Sequence, residues 1–119
     1  MSPVPWSLLP DNASLGSSGQ LIIGGCDTLE LAAEFGTPCF VYDEDHLRPR
    51  CREAAEAFGE HAVYASKAFL CRAMARLAYE EGLGIDVASG GELQVCLSAG
   101  VPAEKLVFHG NNKSINELR

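Results

Sequence analysis

Basic residues are scarce in this 119-residue chain: nine lysines and arginines stand against 16 aspartates and glutamates, for a formal charge of −7. No basic cluster offsets that balance, which argues against a nucleic-acid partner. The five cysteines, Cys26, Cys39, Cys51, Cys71 and Cys96, include no C-x-x-C pair, and their number is odd. A disulfide framework is therefore not expected, and they read as reduced, apolar core residues of a cytosolic protein. The N-terminus lacks both the basic start and the sustained apolar run of a secretory signal. The Asn12-Ala13-Ser14 sequon then reads as a chance match. Also missing are the G-x-G-x-x-G and G-x-x-x-x-G-K-[ST] spacings, so Gly90-Gly91 is weak evidence for a phosphate loop.

What is present is enough for a fold. Apolar residues make up 47% of the chain, ordinary for a globular protein. Residues 1–20 read as a loosely ordered arm, broken by Pro3, Pro5, Pro10 and the Gly16-Ser17-Ser18-Gly19 run. Leu21-Ile22-Ile23 is a strand candidate ended by Gly24-Gly25. Asp27 and Glu30 have the spacing of a capping box opening a helix that Gly36 and Pro38 stop. Cys39-Phe40-Val41-Tyr42 reads as another strand. A helix is expected over 44–58, with Leu47, Cys51, Ala54, Ala55 and Phe58 as its apolar stripe. Pro49 within it predicts a late start or a bend.

From Ala62 the pattern turns regular. A strand over 62–66 leads into a helix with Leu70, Ala73, Met74, Leu77 and Ala78 on one face. A strand over 84–88 precedes a helix capped by Ser89 and Glu92, with Leu93, Cys96 and Leu97 as its buried stripe. A strand over 106–108 ends in His109, and Ser114 with Glu117 would open another helix. Alternating strands and helices of this kind predict a parallel α/β protein.

Lys67, Asp86 and His109 each fall at or near a strand's carboxyl end, where α/β folds place their chemistry. A parallel sheet brings them to one rim. Desolvation at that rim would suit Lys67 to act as a nucleophilic amine. Each residue also has a purely structural reading: a lysine snorkelling to solvent, an aspartate in a turn or cap, a hydrogen-bonded loop histidine. Gly90-Gly91 can likewise be no more than a tight strand-to-helix turn.

These segments carry a family resemblance. Gly36-Thr37-Pro38, Val41-Tyr42-Asp43, Tyr64-Ala65-Ser66-Lys67-Ala68, the run from Gly84-Ile85-Asp86 through Ala88-Ser89-Gly90-Gly91-Glu92-Leu93, and His109-Gly110-Asn111-Asn112-Lys113-Ser114 resemble the diaminopimelate decarboxylase family. That family belongs to the pyridoxal-phosphate-dependent decarboxylases with an alanine racemase-like barrel. The resemblance implies an α/β fold: residues 44–119 as the first part of a cofactor-binding (β/α)8 barrel, and 21–43 as strands that join a C-terminal β-domain. It implies decarboxylation of meso-2,6-diaminopimelate to L-lysine, with Lys67 catalytic and bound covalently to pyridoxal 5′-phosphate. Ala65, Asp86 and His109 would join Lys67 around the cofactor, with no metal. It further implies a small amino-acid substrate, a homodimer in the cytoplasm, and neither membrane nor nucleic acid as partner. A barrel needs about 250 residues, so the chain reads as an N-terminal fragment, expected to be inactive alone. Alternatives stay open: an arginine, ornithine or D-amino-acid decarboxylase of the same fold, a cofactor-free Schiff-base lyase, or a non-catalytic truncated product.

Overall fold

The computed structural model describes residues 4–119 and divides into two units, Met1–Pro49 and Arg50–Arg119. Of the expected arm, residues 1–3 lie outside the described residues. The first unit is built on a small antiparallel sheet of strands β1 (Ser14–Leu15), β2 (Leu21–Ile23) and β3 (Cys26–Asp27) in that order. Ser14 pairs with Ile22 and Leu15 with Leu21. The Gly- and Ser-rich run read as a breaker is the turn of this hairpin: the Gly16 N–H donates to the Gln20 carbonyl at 2.8 Å, and the Gly19 N–H to the Gly16 carbonyl at 2.9 Å. Gly24 and Gly25, at φ +57° and +77°, make the two-residue connection from β2 to β3. Positive φ at both central positions is what such a tight hairpin demands.

Helix α1 (Thr28–Phe35) starts as its sequence predicts, with Asp27 Oδ1 accepting the Leu29 N–H at 2.8 Å. The expected strand at 39–42 is absent. That segment joins neither sheet, with Phe40 at 91% and Tyr42 at 48% exposure. A ladder needs a partner strand, and neither three-stranded sheet includes this segment. Helix α2 (Glu44–Phe58) opens on Asp43, whose Oδ1 accepts the N–H groups of Asp45 (3.0 Å) and His46 (3.3 Å). It therefore starts early and runs through Pro49, instead of starting late.

The second unit holds the core. Strands β4 (Val63–Ala65), β5 (Gly84–Val87) and β6 (Leu106–Phe108) form a parallel sheet in the order β4-β5-β6. Helices α3 (Arg72–Glu80) and α4 (Gly90–Ser98) follow the first two strands. Ile85 and Val87 are fully buried and cluster with Ala75, Cys96, Ala99 and Val101, with Tyr64, Leu70, Tyr79, Leu93, Leu106 and Phe108 packed around them. The strands alternate as a sheet must. Ile85 and Val87 lie on the helix-covered face, while Asp86, level with Ala65 and Val107, lies on the other.

Several local expectations need correction. Strand β4 stops at Ala65, and α3 begins only at Arg72, where Cys71 Sγ accepts the Met74 N–H at 3.5 Å. Leu70 thus packs from a loop and not from the helix. Phe58 is 71% and Leu97 42% exposed, so neither belongs to a buried stripe. All five cysteines are free, but only Cys51 and Cys96 are buried, while Cys26 and Cys39 are exposed. Burial, and secondly the charge of Glu92, push the Cys96 thiol upward, as suits an inert core thiol. After β6 the Ser114–Glu117 box forms a turn and no helix.

Candidate functional site at the carboxyl rim of the parallel sheet

Beyond Ala65 the chain makes a single 3-10 turn over Ser66–Ala68. Lys67 sits in this turn, two residues past the strand and exposed. The desolvated lysine expected from the sequence is thus not what the structure shows. On the open face of the sheet, Val63 is 47% and Val107 51% exposed. The turn itself is fixed. The Tyr64 hydroxyl donates to the Phe69 carbonyl at 2.6 Å, closing the loop that carries Lys67. Ser66 is 2% exposed, and its Oγ is buried without a hydrogen-bond partner.

Asp86 is the third residue of β5, in register with Ala65 on one side and Val107 on the other. Its Oδ1 is buried with no partner, an expensive condition for a carboxylate oxygen. Its Oδ2 lies 3.9 Å from His109 Nδ1, too long for a hydrogen bond but within ion-pair range if the imidazole is charged. His109 stands one residue past β6, where its N–H donates to the Val87 carbonyl at 2.7 Å and extends the ladder. The structure therefore brings Asp86 and His109 together and sets Ala65 beside Asp86. Among the described residues it gives Lys67 no ion pair with Asp86.

Side chains tie down the turn from β5 into α4 at three backbone N–H groups. Ser89 Oγ accepts the Glu92 N–H at 3.3 Å, and Glu92 Oε2 accepts the Ala88 N–H at 2.6 Å. Glu117 Oε1 takes the Gly90 N–H at 3.1 Å, from 27 residues away. Sequence reasoning finds the Ser89–Glu92 box because its members are three apart. It misses the Glu117–Gly90 bond, the Ser66 hydroxyl and the Tyr64 clasp, since no spacing rule marks a contact between distant turns or a polar atom left without a partner.

Comparisons with known proteins bear on this rim. A family described as "Pyridoxal-dependent decarboxylase, pyridoxal binding domain" matches residues 44–119. The chain is 50% identical over 120 residues to a diaminopimelate decarboxylase of Mycobacterium tuberculosis, covering 99% of this chain and 26% of that protein. It is 52% identical over 106 residues to one of Bacillus subtilis, covering 85% and 24%. Among solved structures, diaminopimelate decarboxylase from M. jannaschii in complex with L-lysine aligns with a TM-score of 0.75 at 36% identity, over 93% of this chain and 28% of that one. A protein of Aquifex aeolicus aligns with a TM-score of 0.79, also at 36% identity, over 89% and 27%. The chain spans about a quarter of the length of the curated relatives it matches.

Proposed function

Because the chain belongs to the pyridoxal-dependent decarboxylase family, we propose that the intact protein carrying it decarboxylates meso-2,6-diaminopimelate to L-lysine, with pyridoxal 5′-phosphate held at the rim of β4, β5 and β6. The observation that carries this reading is identity of about half to diaminopimelate decarboxylases over nearly the whole chain. The reading extends to a homodimer acting in the cytoplasm. No helix among the described residues is long and apolar enough to cross a membrane.

The residues present fit such a cofactor. Lys67 offers an exposed primary amine on a clasped turn. Asp86 offers a buried carboxylate oxygen with no partner of its own, and orphaned buried polar atoms call for an explanation. Ala65, the register neighbour of Asp86, places a small side chain beside it. The chemistry supplied by bound pyridoxal phosphate is to take up the electron pair left on the substrate carbon as carbon dioxide departs.

The work of the protein falls to its own side chains. Lys67 is the amine that would hold the cofactor at the rim. Asp86 keeps one oxygen toward His109 and leaves the other free to accept a hydrogen bond. His109 is mostly exposed at the rim beside Asp86. The buried face of β5, fixed by Ile85 and Val87, sets Asp86 in place, as a site on a rigid strand requires.

The test is carbon dioxide release by the purified intact protein from meso-diaminopimelate, arginine, ornithine and D-lysine, with pyridoxal phosphate added. Release from diaminopimelate alone is expected. Release from arginine or ornithine with none from diaminopimelate would assign the chain to another branch of the family.

A further inference from the structure

Gly90 opens α4 beside the strand that carries Asp86, and its N–H is already engaged by a carboxylate of the same chain. Glu117 Oε1 accepts that N–H at 3.1 Å, while Glu117 Oε2 accepts both the Ser114 N–H (2.8 Å) and the Ser114 hydroxyl (2.7 Å). The Glu117 N–H returns to Ser114 Oγ at 3.3 Å. One carboxylate thus closes the turn after β6 and fastens it to the start of α4. The glycine is part of the seat. A methyl group on Gly90 would stand 3.2 Å from Glu117 Cγ and 3.4 Å from Oε1, so the Glu117 side chain would have to give by a few tenths of an ångström. The negative charge also lies where a helix N-terminus favours it.

The tie joins two segments that each leave the rim. One runs from Asp86 through Ala88 to Gly90, and the other from His109 through Lys113 to Glu117. Lys113 adds to the closure by donating to the Gly110 carbonyl and lying 5.4 Å from the centre of the Phe108 ring. The 3.9 Å separation of Asp86 and His109 spans the same two segments. We infer that Glu117 is a positioning residue: by fastening the turn after β6 to the Gly90 N–H it holds His109 beside Asp86 at the rim.

This inference rests on the functional reading above, and its test separates the two. In the intact, pyridoxal-phosphate-loaded protein, Glu117→Ala, Glu117→Gln, Gly90→Ala and the double Gly90→Ala/Glu117→Ala are compared. Amide hydrogen exchange at Gly90 and the side-chain resonances of His109 report the tie directly; kcat and KM report its use. Glu117→Ala should speed Gly90 exchange by more than about tenfold, the size of a lost charge-assisted bond, and shift the His109 resonances. It should lower kcat by up to about 100-fold, the cost of misplacing a rim group by about 1 Å, while leaving KM within about twofold. Gly90→Ala should displace the His109 resonances and lower kcat in the same way, and the double variant should be no worse than the poorer single. Glu117→Gln keeps one acceptor and should fall between. If Glu117→Ala does not fold, Gly90→Ala and Glu117→Gln decide the matter. Unchanged Gly90 exchange in the Glu117 variants, unchanged His109 resonances with normal kcat, or losses that simply add would each overturn the inference. Wild-type protein inert toward diaminopimelate would instead overturn the functional reading, with Gly90 exchange and the His109 resonances still judging the tie.

Discussion

The two units of this chain are stabilised in different ways. In the second, 12 hydrophobic residues are buried, and Ala75, Ala78, Ile85, Val87 and Cys96 reach zero exposure. In the first, the only buried residue among the described ones is Asp43, an aspartate at 7%. Its strands and helix are shaped by turns and caps: the Gly24-Gly25 hairpin, the Asp27 cap, the Asp43 cap. Such devices choose a conformation but remove little apolar surface from water, and burial supplies most folding free energy. Every rim residue stands on the unit with the core. A site that must hold side chains to a fraction of an ångström belongs where strands cannot shift.

The largest test of that contrast is chemical. Lys67→Ala in the second unit should remove nearly all turnover of the intact protein, since no other group replaces its amine. Asp43→Ala in the first should leave turnover near normal and cost stability on the order of 1 kcal/mol, as for a lost cap. Steady-state assays beside urea titrations check both. Comparable losses of turnover in the two variants would erase the contrast.

The next is energetic. Ile85→Ala should destabilise by about 2–5 kcal/mol, because it opens a cavity in a closed core. Ile22→Ala, on a half-exposed strand, should cost less than about 1 kcal/mol. Urea midpoints at constant slope measure the difference. A cost at Ile22 equal to that at Ile85 would mean the first unit has a core of its own.

Within the second unit, structure and chemistry should separate. Ser89→Ala removes the cap of α4 and should cost about 1 kcal/mol with most activity kept. Asp86→Asn should do the reverse, lowering turnover while the melting point hardly moves. Normal turnover in Asp86→Asn would remove the basis for a shared rim.

The smallest effect is a pH dependence. The N–H and then the hydroxyl of Ser114, followed by the Gly90 N–H and the charge of Lys113, hold the Glu117 carboxyl below its usual range. A depressed folded value means the stabilisation is present above the unfolded value of about 4.3 and is lost as pH falls through the lower, folded one. The stability difference between wild type and Glu117→Gln should therefore be constant near neutrality and shrink in acid. Midpoints across an acid-to-neutral series would show it. A difference that grew on acidification would have the wrong sign.

The contrast also explains what could be read from the sequence. Strands β5 and β6 and the Ser89 entry to α4 were legible because the buried face of β5 and a three-residue box leave local signatures. The α/β class followed from their alternation. The strand expected at Cys39–Tyr42 was not found, because β-propensity does not supply a pairing partner. The start of α3 was misplaced because its cap is the Cys71 sulfur, outside the usual set of capping side chains. Phe58 and Leu97 fit a helical stripe in sequence yet face solvent, since periodicity marks a face without saying whether anything covers it. Lys67 was legible as a rim residue, but its exposure was not. The Glu117–Gly90 bond joins two turns by tertiary contact alone.

The claim on which the account rests is that Lys67 carries the cofactor. The intact protein, loaded with pyridoxal phosphate, is reduced with borohydride, digested and mapped by mass spectrometry. The account predicts the pyridoxyl group on the peptide containing Lys67, and on no other lysine. The same label on Lys105, on Lys113 or on a lysine elsewhere in the protein, with Lys67 unmodified, would contradict it.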